Sequence, residues 1–196
     1  MKKLILSVII AAIIAPGATA AKKAKSGKAI NNAAIKYLDD NFWTYDKLQK
    51  TIWANPELGF IEYNSSKLLQ DHLRENGFLV EAGIAGMPTA FVATYGSGEP
   101  TIGFLAEFDA LPGLSQDTVP VRSPRVKDAP GQGCGHNLLG VGSTSAAVAL
   151  SKWLAANHRK GTIKIFGTPA EEGGAGKVYI VRDGYFKGID AVLDWH

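Results

Sequence analysis

The chain has 196 residues, of which 46% are hydrophobic and 20% charged, with a formal net charge of +3 and one cysteine. Lys2, Lys3, Lys22, Lys23, Lys25 and Lys28 all precede residue 30, so the remainder is close to neutral and carries no basic face for nucleic acid. A lone cysteine rules out an internal disulfide.

The first 20 residues combine a basic start, a dominantly apolar run from Leu4 to Ile14 and small residues at Ala18 and Ala20. This pattern predicts a secretory signal peptide cleaved after Ala20, hence a periplasmic or secreted protein. The apolar run is short for ~30 Å of hydrocarbon, and no stable membrane anchor is expected after cleavage. Residues 21–28 read as a basic tether, and 29–196 as one domain.

Apolar residues recur every three or four positions from Ile30 through Tyr37, Phe42 and Tyr45 to Ile52, predicting a helix over 29–54. A second helix is expected from Ser65 to Asn76, with Ser65 as its cap and Gly77 as its stop. Phe78–Ala82 reads as a short strand. Ala90–Tyr95 and Thr101–Phe108 are strand runs split by Gly96-Ser97-Gly98-Glu99-Pro100, a spacing that predicts an antiparallel hairpin. Residues 109–135 form a long Gly- and Pro-containing loop, which such lengths reserve for function. Asn137–Asn157 is alanine-rich and apolar, a buried helix. Thr162–Gly167 is a strand, Glu172–Asp183 a helix and Ala191–Trp195 a last strand. This alternation predicts the α/β class: an α/β/α sandwich around a mixed β-sheet.

Four groups carry chemistry, each at a predicted strand end or before a helix, where open α/β sheets place ligands. Glu107 and Asp109 point to the same side of a strand, which is unfavourable unless a cation or a proton intervenes. Cys134 and His136, spaced by glycines, offer a thiolate and an imidazole to a borderline metal; a thiol-hydrolase pair is the alternative. Glu171 and Glu172 diverge in direction, so that one can hold a metal while the other acts as a base toward water. His196 follows the last strand directly. Singly, each has an inert reading as a solvated or structural residue. Together they are a ligand set for two divalent cations.

GFLAEFDALPGLSQ, GQGCGHNLLG, GTPAEEGGAGK and the terminal Trp195-His196, in this order, resemble the amidohydrolase branch of the co-catalytic, two-metal metallopeptidases. The resemblance runs from about residue 30 to the end. It implies that Cys134, His136, Glu172 and His196 bind two divalent metal ions, zinc or manganese. Glu171 is then the general base, with Glu107 and Asp109 supporting the ligands from behind. Glu107 stands where the wider superfamily has a metal-binding histidine, and Asn137 where it commonly has an aspartate. The implied reaction is hydrolysis of the amide of an N-acyl or aminobenzoyl amino acid, or of a small peptide. The family inserts a lid and dimerisation domain into its catalytic domain. This chain reads as truncated before it, with a homodimer expected only for a full-length form. A metal- or peptide-binding remnant without catalysis is the alternative.

Overall fold

The computed structural model describes residues 32–196; the expected leader and tether lie outside the described residues. Helix α1 (32–40) and helix α2 (Phe42–Ala54) replace the single helix expected over 29–54. The break is Asn41, at φ −112° and ψ 13°. Its side-chain amide donates to the Tyr37 carbonyl at 2.8 Å, competing with the Asn41 backbone N–H for that acceptor.

Helix α3 (Tyr63–Glu75) starts two residues before the expected cap, and Ser65 does not cap it. The Glu57 carboxylate does so instead. It accepts the backbone N–H groups of Asn64 and Ser65 at 2.9 and 2.8 Å, and the Ser65 hydroxyl at 2.7 Å. A carboxylate there satisfies orphan donors and complements the helix dipole.

Strands β1 (Leu79–Ala82), β2 (Phe91–Ser97), β3 (Thr101–Ala106), β4 (Gly161–Gly167) and β5 (Ala191–Leu193) form one sheet in the order β1-β2-β4-β3-β5. The expected hairpin is therefore absent: β4 lies between β2 and β3, antiparallel to the first and parallel to the second. The link between β2 and β3 steps over the start of β4. Thr162 donates its backbone N–H to the Pro100 carbonyl at 2.9 Å and its hydroxyl to the Gly98 carbonyl at 2.8 Å. Two strand spacings are about 10 Å, within reach of so short a link. A side chain at Gly96 would collide with the Gly161 carbonyl, so the crossing needs glycine there.

The sheet is covered on both sides, giving the expected α/β/α sandwich. Alternate residues Phe91, Ala93, Ile163 and Ile165 pack with Ile52, Leu69, Leu73 and Val148 of α2, α3 and helix α4 (His136–Ala156). Val92 and Phe166 face the other way. They meet Ile84, Met87 and Ile180, the last from helix α6 (Gly176–Arg182), which follows the one-turn helix α5 (Glu171–Gly174).

The parallel strands β3, β4 and β5 end side by side, and α4 begins over the end of β3. That approach is close: a Cβ on Gly140 would collide with the Glu107 carbonyl. Gly140→Ala must therefore push α4 off β3. The alanine's helix propensity, worth about 1 kcal/mol, offsets only part of the strain. Urea unfolding should show a loss of about 1–3 kcal/mol; an unchanged midpoint would mean the helix–strand contact is looser than this.

Candidate metal centre

His136 opens α4 immediately after Gly135, whose φ of 88° is left-handed and turns the chain sharply into the helix. Its imidazole is fully buried. Nδ1 lies 2.9 Å from Asp109 Oδ1 and 3.0 Å from the Asp109 carbonyl, both acceptors, so it carries the proton. Nε2 is then left with a free lone pair. Around it stand Glu107 Oε2 at 3.1 Å, His196 Nε2 at 3.4 Å, Glu171 Oε2 at 3.7 Å and Glu172 Oε1 at 3.9 Å. A carboxylate behind a histidine whose other nitrogen faces more ligands is the usual outer support of a metal site.

Both Asp109 oxygens are hydrogen-bonded. Its Oδ1 accepts from His136 and its Oδ2 accepts the Glu172 backbone N–H at 3.0 Å. It thus fixes the His136 ring and the Glu172 backbone. Glu107 reaches further in than the sequence reading placed it. Its Oε2 joins His136, Glu171 and His196 in a group whose ligand atoms all lie within 4.8 Å of one another. Its Oε1 is engaged by Lys177 Nζ, a residue of α6 that the sequence reading overlooked although it closes the GTPAEEGGAGK motif.

Cys134, His136 and His196 form a second group within the same span, and the Cys134 sulfur lies 3.4 Å from His196 Nε2. His196 reaches the centre because Trp195 lies against α4 at Gly142, where a Cβ would come within 2.8 Å of the indole. The structure thus brings together Cys134, His136, Glu171, Glu172, His196 and Glu107. Asn137 stays out, donating to the Gln49 side-chain oxygen at 2.9 Å.

The electrostatics record an excess of negative charge. Burial opposes an imidazolium at His136, but the Asp109 hydrogen bond and the charges of Asp109, Glu107 and Glu172 outweigh it and raise its pKa. Burial likewise works against the Asp109 anion, yet the His136 hydrogen bond and the N–H groups of Glu172 and Glu171 hold its carboxyl below the usual range. The Cys134 thiol is pushed up by burial and by Glu172, Glu171 and Glu107. These surroundings discourage a free thiolate nucleophile, as the thiol-hydrolase alternative would need; a cation would reverse their effect.

Whether the residues fit metal ions is decided by two atoms. Among the described residues, Glu107 Oε2 and Glu172 Oε1 are buried without a hydrogen-bond partner. An orphaned buried carboxylate oxygen is costly, and both of these face His136 Nε2. A divalent ion among them removes that cost, so the donor set of thiol, imidazoles and carboxylates fits metal. Beside the centre, Asp109 and Glu172 border a cleft of about 430 Å³ walled by Leu58, Phe60, Leu111 and Pro112.

Residues 103–196 match the model of peptidase family M20/M25/M40. The chain is 42% identical over 153 residues to a p-aminobenzoyl-glutamate hydrolase polypeptide of Escherichia coli, covering 78% of this chain and 32% of that protein. It is 32% identical over 154 residues to hippurate hydrolase of Campylobacter jejuni, covering 78% of this chain and 39% of that one. Among solved structures it resembles the Bacillus subtilis YXEP protein, a dinuclear metal-binding peptidase of the M20 family. The TM-score is 0.60 at 25% identity, over 76% of this chain and 41% of that one. The chain thus spans about a third of the length of the curated relatives it matches. By its matched residues and its fold, the chain resembles the N-terminal part of members of peptidase family M20/M25/M40.

Proposed function

We propose that this chain is the metal-holding part of an exported amidohydrolase that cleaves the amide of an N-acyl or aminobenzoyl amino acid, or of a small peptide. The observation that carries the reading is the pair of orphaned carboxylate oxygens of Glu107 and Glu172 facing His136 Nε2. Cys134, His136, Glu172 and His196 hold two divalent ions, with Glu107 Oε2 as a further donor. The thiol favours zinc and the carboxylates tolerate manganese. When bound, such ions supply charge stabilisation and make water more acidic.

The remaining work falls to side chains. Glu171 is a third exposed, against a fifth for Glu172, and both its neighbours at Oε2 are imidazoles rather than cationic lysines. It takes the proton of the attacking water and returns it to the departing nitrogen. Asp109 keeps His136 in one tautomer and fixes the Glu172 backbone. The apolar cleft beside Asp109 and Glu172 excludes water from one side of the reacting amide.

Metal analysis and hydrolysis of aminobenzoyl and benzoyl amino acids test the reading. Two ions per chain are expected, with turnover lost on chelation and restored by zinc or manganese. Iodoacetamide should modify Cys134 only after the metals are stripped. Turnover that ignores chelators and dies on alkylation would replace this reading with a thiol hydrolase. A binding remnant is the second reading; it predicts bound metal with no turnover.

A further inference from the structure

Glu62 takes no part in the chemistry above, yet its side chain is 0% exposed. It lies just before α3, far in sequence from the metal-facing residues. One carboxylate oxygen accepts the Ala170 backbone N–H at 2.8 Å and the other accepts the Thr89 hydroxyl at 2.8 Å. Burial pushes its pKa up, so an acid is kept where a charge is disfavoured. A leucine would fill the space without that cost. What the carboxylate adds is an acceptor for one particular N–H.

That N–H belongs to the residue preceding Glu171. Ala170 adopts φ 56° and ψ 41°, a left-handed conformation that is unfavourable for a non-glycine residue. The surroundings hold it there. A Cβ on Gly59 or on Gly174 would stand 2.8 Å from the Ala170 methyl, so only glycines leave room for it. The Ala170 carbonyl accepts the Gly174 N–H at 2.9 Å, and Asp109 takes the Glu172 N–H. The turn is pinned on one side by Asp109 and on the other by Glu62. Without its acceptor, the buried Ala170 N–H would be unsatisfied and the turn free to relax.

We propose that Glu62, braced by Thr89, is a positioning residue that locks the left-handed turn at Ala170 and thereby aims Glu171 and Glu172 at the metal-facing cluster. This rests on the reading of Glu172 as a metal ligand. A merely structural Glu62 would affect melting alone, whereas a positioning residue alters the metal site in a chain that stays folded.

Cobalt titration of the chain reads this directly, through the thiolate-to-cobalt charge-transfer band and the visible ligand-field bands. Glu62→Gln keeps an oxygen for the Ala170 N–H and should bind cobalt with the affinity of the parent chain. Glu62→Asp is one methylene too short to reach both partners. It should weaken binding by about 10–100-fold, the scale of an outer-support loss, and change the ligand-field bands. Thr89→Val, which removes only the brace, should weaken it by roughly threefold. Parent-like affinity and spectrum in folded Glu62→Asp would overturn the proposal, whatever happens to its melting temperature. Should that variant not fold, parent-like behaviour of Thr89→Val would overturn it. A parent chain with no thiolate–cobalt band would instead sink the metal reading itself, and the positioning role with it.

Discussion

Glu171→Gln should lower amide hydrolysis by about 10²–10⁴-fold, the range that a positioned general base contributes, while leaving the metal content unchanged. The change preserves shape and removes only basicity. Glu171 Oε2 stands 3.7 Å from His136 Nε2 and 3.9 Å from His196 Nε2, at the edge of the cluster and partly open to solvent. Glu172, by contrast, has a buried oxygen with no partner, as a ligand would. The matching control is Glu172→Gln, which should lose metal first and activity as a consequence. Turnover on an aminobenzoyl amino acid and metal analysis of the same samples separate the two. Equal metal loss in both variants would show that the roles are not divided in this way.

Asp109→Ala should have the largest effect on the integrity of the centre. Both Asp109 oxygens are engaged, and the residue is buried. Truncation strands the Glu172 N–H, at roughly 1–3 kcal/mol, leaves the His136 Nδ1–H only the Asp109 backbone carbonyl, and should weaken metal binding by about 10–100-fold. Asp109→Asn tests the charge alone through its pH dependence in the metal-free protein. The Asp109 carboxyl is held below its ordinary value, so its contribution is present above about pH 3.9 and lost as pH falls through the folded value. His136 is raised, so its contribution is full below about pH 6.5 and lost as pH rises through its folded value. The stability advantage over Asp109→Asn should therefore be greatest between about pH 4 and 6.5 and shrink on both sides. A difference that stays constant from well below about pH 4 to well above about pH 6.5, in urea unfolding, would deny the ion-pair character of this contact.

Much of the centre could be read from residue types. Thiol, imidazole and paired carboxylate are the few groups that hold borderline metals, and glycines on either side of Cys134 and after Glu172 announce tight turns. Glu107 shows where such reading falls short. Its residue type suits either a ligand or a support, and only the direction of its Oε2 toward His136, with Lys177 on the other oxygen, distinguishes them. Lys177 itself looks like any surface lysine on a short helix. Glu62 was invisible for the same reason, since burial of a glutamate leaves no local mark in the sequence.

Composition and short-range pattern alone were enough to establish the class of fold, the positions of the strands and most helices, and the inventory of metal-capable side chains. Each of these depends on neighbours within a few positions: helical and strand periods, turn residues, and the donor chemistry of single side chains. Folding in three dimensions decided the rest. The link between β2 and β3 has the length of a hairpin turn, yet β4, formed about 60 residues later, enters between them. That insertion sets the ends of β3, β4 and β5 side by side, and so makes one centre of scattered motifs. Partners separated by 62 residues, as Cys134 and His196 are, or by 108, as Glu62 and Ala170 are, are chosen by strand order and by the demand that buried polar groups be satisfied. Neither demand acts until the whole sheet has assembled.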